Sequence, residues 1–216
     1  MLFVDIGTNS IKALEKDPEG KISRWGKLER NFKPFHTSIS PMDEKDVIEH
    51  LKMLFAKMGA LSHAIVVSIP AFLTFTAIAE SSDPKHIPAA AGAFQLDSIA
   101  LAQDKFFLIA VPRDVIEKYG RILGAVGCQS ASWESKAAIL AKNFGAGREP
   151  ILIVDLDDRS TAFVVAQNGK PAFAEHTDFA QASGAPDVIM NKVKNIVTEK
   201  KIKNTRWVTK NFFYSF

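Results

Sequence analysis

The chain has 216 residues, of which 47% are hydrophobic and 24% are charged. This composition excludes a chain that is disordered throughout, and it predicts a globular protein of one large domain or two small ones. The net charge is only +3, but residues 187–216 contain seven Lys or Arg and two acidic residues, so this segment is +5 and the remainder is −2. We expect a solvated helix face followed by an irregular end there, and no nucleic-acid partner.

Targeting signals are not evident in the sequence. Cys128 is the only cysteine, so no disulfide can form within the chain, and a reducing compartment is the simplest setting. Strand-like sequence begins at Leu2, which leaves no space for a secretory signal peptide. Residues 59–79 contain no charged side chain, but Pro70 interrupts them and their Val, Ile, Thr and Phe content favours strands. We therefore expect a cytoplasmic protein without a transmembrane span.

The first part of the chain predicts a meander followed by a helix and a further strand. The predicted strands are residues 2–6, 11–15, 22–28 and 64–69, and the predicted helix is residues 43–58. Pro41 stands where this helix begins, and Gly59 stands where it ends. Pro70 is predicted to join the fourth strand to a second buried strand. Residues 81–104 have no assignable pattern.

The alternation of strands and helices resumes after residue 104. The predicted elements are a strand at residues 106–111, a helix at 113–126, a short strand at 129–132 and a helix at 134–144. The Gly145-Ala146-Gly147 linker is predicted to separate two domains. Together these elements predict an α/β fold in which helices cover a sheet that contains parallel strands.

The opening segment VDIGTNSIKAL, residues 4–14, has the character of a ligand-binding turn. Gly7 lets the backbone approach a ligand closely, because it has no side chain. Asp5 has the wrong charge for phosphate alone, but it suits a hydrated magnesium ion that accompanies phosphate. Lys12 either adds positive charge or faces solvent. The expected phosphate donors are the N–H groups of Gly7 to Ser10 and the side chains of Thr8, Asn9 and Ser10.

A second copy of this motif occurs at ILIVDLDDRSTAFVV, residues 151–165. A strand after Asn168-Gly169 completes a second meander. A single D-x-G turn is also typical of a plain hairpin, but the duplication favours a phosphate site between two related halves. The alignment pairs Asp5 with Asp155, Ser10 with Ser160, and Ile11 with Thr161.

The two motifs together resemble the phosphate loops of the actin-like ATPase superfamily. Within it, the chain is most similar to the PilM family of cytoplasmic type IV pilus assembly proteins, and more distantly to the FtsA family of cell-division proteins. AIVVSIPAFLTFTAIAE resembles the strand-proline-strand entry into the inserted subdomain of that superfamily. Residues 106–144 resemble the segment that returns from it, with Glu134 at the acidic position of the connecting motif. The resemblance covers residues 2 to about 185.

The resemblance implies an actin-like (ribonuclease H-like) fold. It implies a first half at residues 1–147, with a reduced inserted subdomain around 70–132, and the start of a second half at 148–216. Glu134 would position a water, or would instead be a helix N-terminal acid favoured by the dipole. Asp5 and Asp155 would hold Mg2+, and the chain would be at most a weak ATPase. The residues implied to bind ATP are Asp5, Gly7, Thr8, Asn9, Ser10, Lys12, Asp155, Ser160 and Thr161.

The resemblance also implies a scaffold for pilus assembly. Its partner would be a cytoplasmic peptide of an inner-membrane pilus assembly protein, which would bring the chain to the inner membrane as a peripheral protein. The alternatives are a nucleotide-free interaction module, a truncated remnant of the same fold, and an FtsA-like cell-division protein.

Two departures from the family pattern bear on this choice. In the second loop Asp157 replaces the usual glycine and is followed by Asp158 and Arg159, so we expect weak phosphate binding there. Only 61 residues follow Asp155, and the last of them resemble no adenosine-binding segment, so we expect a chain that is truncated at its C-terminus. The five histidines are scattered without ligand spacing, which argues against a structural metal.

Overall fold

The computed structural model describes residues 1–7, 10–29, 41–60, 64–80, 92–156, 160–178 and 185–209. The strands in these ranges are β1 Leu2–Ile6, β2 Ser10–Lys16, β3 Ile22–Glu29, β4 Ala64–Ile69, β5 Phe75–Ala79, β6 Phe94–Ala100, β7 Phe106–Pro112, β8 Ser130–Ser135, β9 Ile151–Leu156, β10 Ser160–Gln167, β11 Lys170–Asp178 and β12 Asn204–Thr209. The helices are α1 Pro41–Met58, α2 Arg113–Ala125, α3 Lys136–Phe144 and α4 Ala185–Glu199, and a 3-10 turn spans Ala71–Leu73.

A five-stranded sheet with the order β3-β2-β1-β4-β8 forms the first layer. β1 runs antiparallel to β2 and parallel to β4, and β8 also runs parallel to β4. The prediction that residues 2–6 and 64–69 share one sheet is therefore confirmed. Because side chains alternate along a strand, Val4 and its register partner Val67 face the same side, where they share a core with Leu51 of α1.

A second sheet repeats this topology in the order β11-β10-β9-β12. The registers match at an offset of 150: Asp5 pairs with Lys12, and Asp155 pairs with Ala162. α4 precedes β12 as α1 precedes β4, and β12 runs parallel to β9. We call β1 to β4 with α1 the first repeat, and β9 to β12 with α4 the second repeat.

The last strand of the second repeat corrects one prediction. Residues 204–209 were expected to be irregular, but they form β12, which buries Val208 against the core. The sequence disguises this strand because basic residues surround it. The structure accommodates one of them, since the guanidinium of Arg206 lies 4.8 Å from the centre of the Phe144 ring.

Between β4 and β8 the chain leaves the first sheet and forms a small antiparallel sheet with the order β5-β7-β6. β6 lies in the segment to which no pattern could be assigned. β5 is also not the buried strand that the sequence predicts, because the side chains of Phe75 and Ile78 are exposed. β5 instead lies against the second repeat, where the Thr76 hydroxyl donates to the Ala174 carbonyl at 3.1 Å.

α3 lies at the centre of the molecule. Its buried face, which includes Ile139 and Leu140, packs against β4 and β8 of the first sheet and against β9, β10 and β11 of the second. Leu152 and other residues on the opposite face of β9 form a separate core with α4. The second sheet is therefore covered by a helix on each face, as an α/β fold requires. Within the described ranges, no helix has the length and apolar character needed to span a bilayer.

Candidate functional site

The structure brings the C-terminal ends of β1 and β9, with their following turns, to one cleft. The enclosed volume of this cleft is about 10 Å3, on the order of one water molecule, and the cleft opens to solvent. Its wall is completed by the 3-10 turn after β4 and by the beginning of α3. The polar side chains and the glycine that line it are Asp5, Gly7, Lys136, Asp155, Ser160 and His176.

Asp5 is the most unusual carboxylate of the cleft. Its residue is 6% exposed, and its Oδ1 atom has no hydrogen-bond partner in the described part of the chain. Ser68 is the register partner of Asp5 on the neighbouring strand β4. Its hydroxyl is also buried without a hydrogen-bond partner in the described part of the chain. Leaving a buried carboxylate oxygen unsatisfied is costly, so this position is suited to a cation or to ordered water.

Lys12 and Glu134 lie in the same row of the first sheet as Asp5. Lys12 is the register partner of Asp5 on β2, and it is buried, which excludes the solvent-facing alternative. Glu134 is the register partner of Ser68 on β8, two strands from Asp5 and thus about 10 Å from it between backbones. Neither side chain is among those that line the cleft.

Glu134 is not a helix N-terminal acid. It belongs to β8, and Ser135 caps α3 by accepting a hydrogen bond from the Ala138 amide at 3.2 Å. The Glu134 carboxylate lies 3.5 Å from the Lys142 ammonium. The structure therefore separates this residue from the cleft carboxylates, and its role in positioning water stays a prediction.

The first loop differs from the predicted ring of donors. The Gly7 amide donates to the Ser10 carbonyl at 2.9 Å, so this N–H group closes the hairpin instead of facing the cleft. Gly7 itself lines the cleft, whereas Ser10 does not. The other predicted donors, Thr8 and Asn9, lie outside the described residues, so their part in the site stays a prediction.

Asp155 has a partner that the sequence analysis missed. The Lys136 ammonium lies 2.7 Å from Asp155 Oδ2, and the two side chains are only 11% and 4% exposed. One sequence signal was present. A lysine in the first turn of a helix opposes the helix dipole, and this lysine begins the apolar segment KAAILA, so a tertiary partner is needed to explain it.

The remaining residues of the second repeat divide between the two faces of its sheet. Ser160 lines the cleft, and its part in binding a cofactor stays a prediction. The Thr161 side chain faces the opposite side of the sheet, with Phe163 and α4, so it does not line the cleft, and its part in cofactor binding stays a prediction. His176 joins the cleft as the register partner of Ala162, although its spacing in the sequence gave no signal. Asp157, Asp158 and Arg159 lie outside the described residues.

Magnesium fits this set of residues only in part. Among the residues that the structure describes, no three His, Cys, Asp or Glu side chains come close enough to enclose a metal ion. Magnesium needs only one or two carboxylates, because it keeps most of its water. Asp5 satisfies that condition, whereas Asp155 is already neutralised by Lys136.

Comparisons with known proteins identify the fold. No protein-family model and no curated protein matches the sequence. A chain of a solved PilM-PilN type IV pilus biogenesis complex is similar in structure, with a TM-score of 0.65, 13% identity and 94% coverage of this chain. This chain spans 66% of that one.

Two further solved structures give the same result. The cytoplasmic domain of EpsL, an inner-membrane component of the Vibrio cholerae type II secretion system, has a TM-score of 0.61, 11% identity, and coverage of 96% of this chain and 81% of its own. A Bacteroides thetaiotaomicron protein with an actin-like ATPase fold has a TM-score of 0.57, 9% identity, and coverage of 98% and 82%. The predicted fold is confirmed: this chain has the actin-like ATPase fold.

Proposed function

We propose that this chain, with its actin-like ATPase fold, is a PilM-like cytoplasmic scaffold that binds ATP weakly in the cleft between its two repeats. Its partner is a cytoplasmic peptide of an inner-membrane pilus assembly protein, through which it associates peripherally with the inner membrane. The similarity to a chain of the PilM-PilN complex and to the EpsL cytoplasmic domain supports a role in such an assembly.

One observation carries the nucleotide part of the proposal. Asp5 Oδ1 is buried at the wall of a cleft, without a hydrogen-bond partner among the described residues. A protein that used this cleft only for packing would gain stability by replacing such a carboxylate with an apolar or amide side chain. Its presence is explained if a hydrated cation, brought by the phosphates of ATP, completes the site.

The residues of the cleft then have distinct tasks. Asp5 would hold the hydrated magnesium, Ser160 would donate to a phosphate oxygen, and Lys136 would contribute positive charge on the side of the second repeat. Magnesium, when bound, would neutralise phosphate charge. Glu134 does not line the cleft and is paired with Lys142. This arrangement supports binding more strongly than hydrolysis, so the chain is at most a weak ATPase.

The geometry also predicts that the affinity is low. The Gly7 amide is already used within its hairpin, and Asp155 would have to exchange Lys136 for a metal before it could act as a ligand. Few contacts then remain to offset the loss of translational and rotational freedom on binding. We expect a dissociation constant of about 1 mM, which corresponds to roughly 4 kcal/mol.

Calorimetric titration with ATP tests this function. The wild-type chain should bind ATP at about 1 mM with magnesium present, and binding should be lost in EDTA and in the Asp5→Asn variant. Asp114→Asn is the matched control, because Asp114 is an exposed acid on α2 and should leave binding unchanged. Micromolar binding, or binding that survives Asp5→Asn, would contradict the proposed site.

A second function is favoured by a different observation. The Lys136 ammonium balances the charge of the Asp155 carboxylate without any ligand. A nucleotide-free interaction module of the same fold would show such a pair. If the calorimetric titration detects no ATP binding up to about 10 mM, where a 1 mM site would be mostly occupied, this second function replaces the first.

A further inference from the structure

Lys136 is a buried cation at a position where its own helix gains nothing from it. It is the first residue of α3, so its charge lies close to the positive end of the helix dipole. Its ammonium is almost withdrawn from water, at 11% side-chain exposure. Both conditions disfavour a lysine, so the reason for its placement must lie in what its ammonium contacts.

That contact joins the two sides of the cleft. α3 follows β8 of the first sheet, whereas Asp155 ends β9 of the second sheet. The distance of 2.7 Å between the Lys136 ammonium and Asp155 Oδ2 is that of a direct charge-assisted hydrogen bond. A second carboxylate, Asp5, lines the same cleft with a buried and unpartnered oxygen. The described lining residues therefore present two carboxylates and one ammonium.

We propose that Lys136 is a built-in cation of the cleft, which supplies to Asp155 the positive charge that a divalent metal ion would otherwise supply. On this account Asp155, predicted from the sequence to be a metal ligand, is held by Lys136 instead. The folded chain needs no metal, and a divalent cation alone gains a two-carboxylate site only when Lys136 is removed. The inference does not depend on nucleotide binding.

The test is thermal unfolding of the full chain without nucleotide, with and without divalent cations. Lys136→Met keeps the approximate length of the side chain but removes its charge, so the buried Asp155 carboxylate loses the ammonium that lies 2.7 Å from it. We expect its Tm to fall by roughly 10 °C in EDTA. About 10 mM MgCl2 or MnCl2 should then raise that Tm by roughly 3 to 6 °C, as expected for a site with a Kd of about 1 mM.

Three comparisons make the result specific. The wild-type Tm should be the same in EDTA and in the divalent salt, with ionic strength matched by NaCl. The double variant K136M/D155N, which has lost the second carboxylate, should show no divalent-dependent increase. Lys142→Met is the matched lysine control, because Lys142 lies on the same helix but is 62% exposed, and it should behave as the wild type does.

Each outcome of the unfolding experiment either supports or overturns the proposal. A divalent-dependent increase in K136M alone supports the built-in cation. No increase in K136M, or an equal increase in the wild type, overturns it. If K136M does not fold in EDTA, refolding yields are compared with and without MgCl2, and equal failure in both overturns the proposal. A wild-type chain that binds no ATP would refute the proposed function while leaving this inference unchanged.

Discussion

The two repeats have the same strand topology and register, but different side chains surround their aspartates. In the first repeat, Asp5 stands between Lys12 and Ser68, so a polar row crosses the sheet. In the second repeat, Asp155 stands between Ala162 and Val208, and its charge is balanced by Lys136 from outside the sheet. The comparison shows that matched registers fix where a carboxylate lies, while its neighbours decide whether it is available to a ligand.

The helix-facing sides of the two sheets differ as well. Ala13 of the first repeat stands at the register position of Phe163 in the second. Next to Ala13 lies Gly26, over which the Leu54 and Met58 side chains of α1 pack closely. The first repeat therefore fills its core with residues from the helix, whereas the second fills it with a residue from the sheet.

The largest expected loss in the free energy of unfolding comes from removing the large side chain that fills the core of the second repeat. Phe163 is fully buried between the second sheet and α4. We expect Phe163→Ala to lower the free energy of unfolding by about 4 kcal/mol, because it removes a large apolar side chain and leaves a cavity. Urea denaturation measures this loss. The matched control is Phe75→Ala, at a residue that is 60% exposed and makes an edge-to-face ring contact with Phe94, and its effect should be below about 1.5 kcal/mol.

The next largest effect is a difference in stability between amide substitutions at the two aspartates. Asp155→Asn should cost about 3 kcal/mol in the free energy of unfolding, because it leaves the Lys136 ammonium buried opposite an uncharged amide. Asp5→Asn should leave the stability unchanged or raise it by up to about 1 kcal/mol, since an uncharged amide replaces a buried carboxylate whose Oδ1 has no partner among the described residues. Urea denaturation at pH 7 would measure the free energy of unfolding of both variants. Equal losses at the two positions would show that the repeats treat their carboxylates alike.

The smallest effect concerns two close approaches of a helix to a sheet. A methyl group added at Gly145, just after α3, would overlap the Ala166 side chain of β10 and lie 2.9 Å from the Ala141 carbonyl. A methyl group at Gly26 would meet the Leu54 and Met58 side chains at 2.8 Å, and a side chain can shift at lower cost than a backbone carbonyl. We expect Gly145→Ala to cost about 2 kcal/mol and Gly26→Ala less than about 1 kcal/mol in the same assay. The reverse order would mean that α1 is held more rigidly than α3.

Much of the fold could be predicted because local patterns and tertiary structure agree in the first repeat. The bounds of β1 and β4 match the prediction, and the 150-residue offset of the aspartates reappears as matched strand registers. β6 and β12 were missed for a physical reason. Their alternation is interrupted by charged or small polar residues that remain exposed, such as Asp97 and Ser98. An edge position permits these residues, but a sequence pattern does not reveal which strands lie at an edge.

The candidate site was predictable to a smaller extent. Asp5, Gly7, Asp155 and Ser160 line the cleft as the duplicated motif suggested. Lys136 and His176 were missed because their relation to the site arises only from the packing of α3 and the pairing of β11. Thr161 does not line the cleft, because its position on β10 turns its side chain to the α4 face, and an alignment of loop positions does not show which face a side chain occupies.

The support of the small sheet by β11 has a consequence for the order of folding. Strands β5, β6 and β7 pair among themselves over short distances along the chain, so this sheet can form early in synthesis. The surface on which it rests is made much later, since Thr76 and Ala174 are 98 residues apart. Until β11 emerges from the ribosome, the face of β5 that it covers remains open to solvent. We therefore expect a nascent chain that ends before residue 170 to be more prone to aggregation than a longer one.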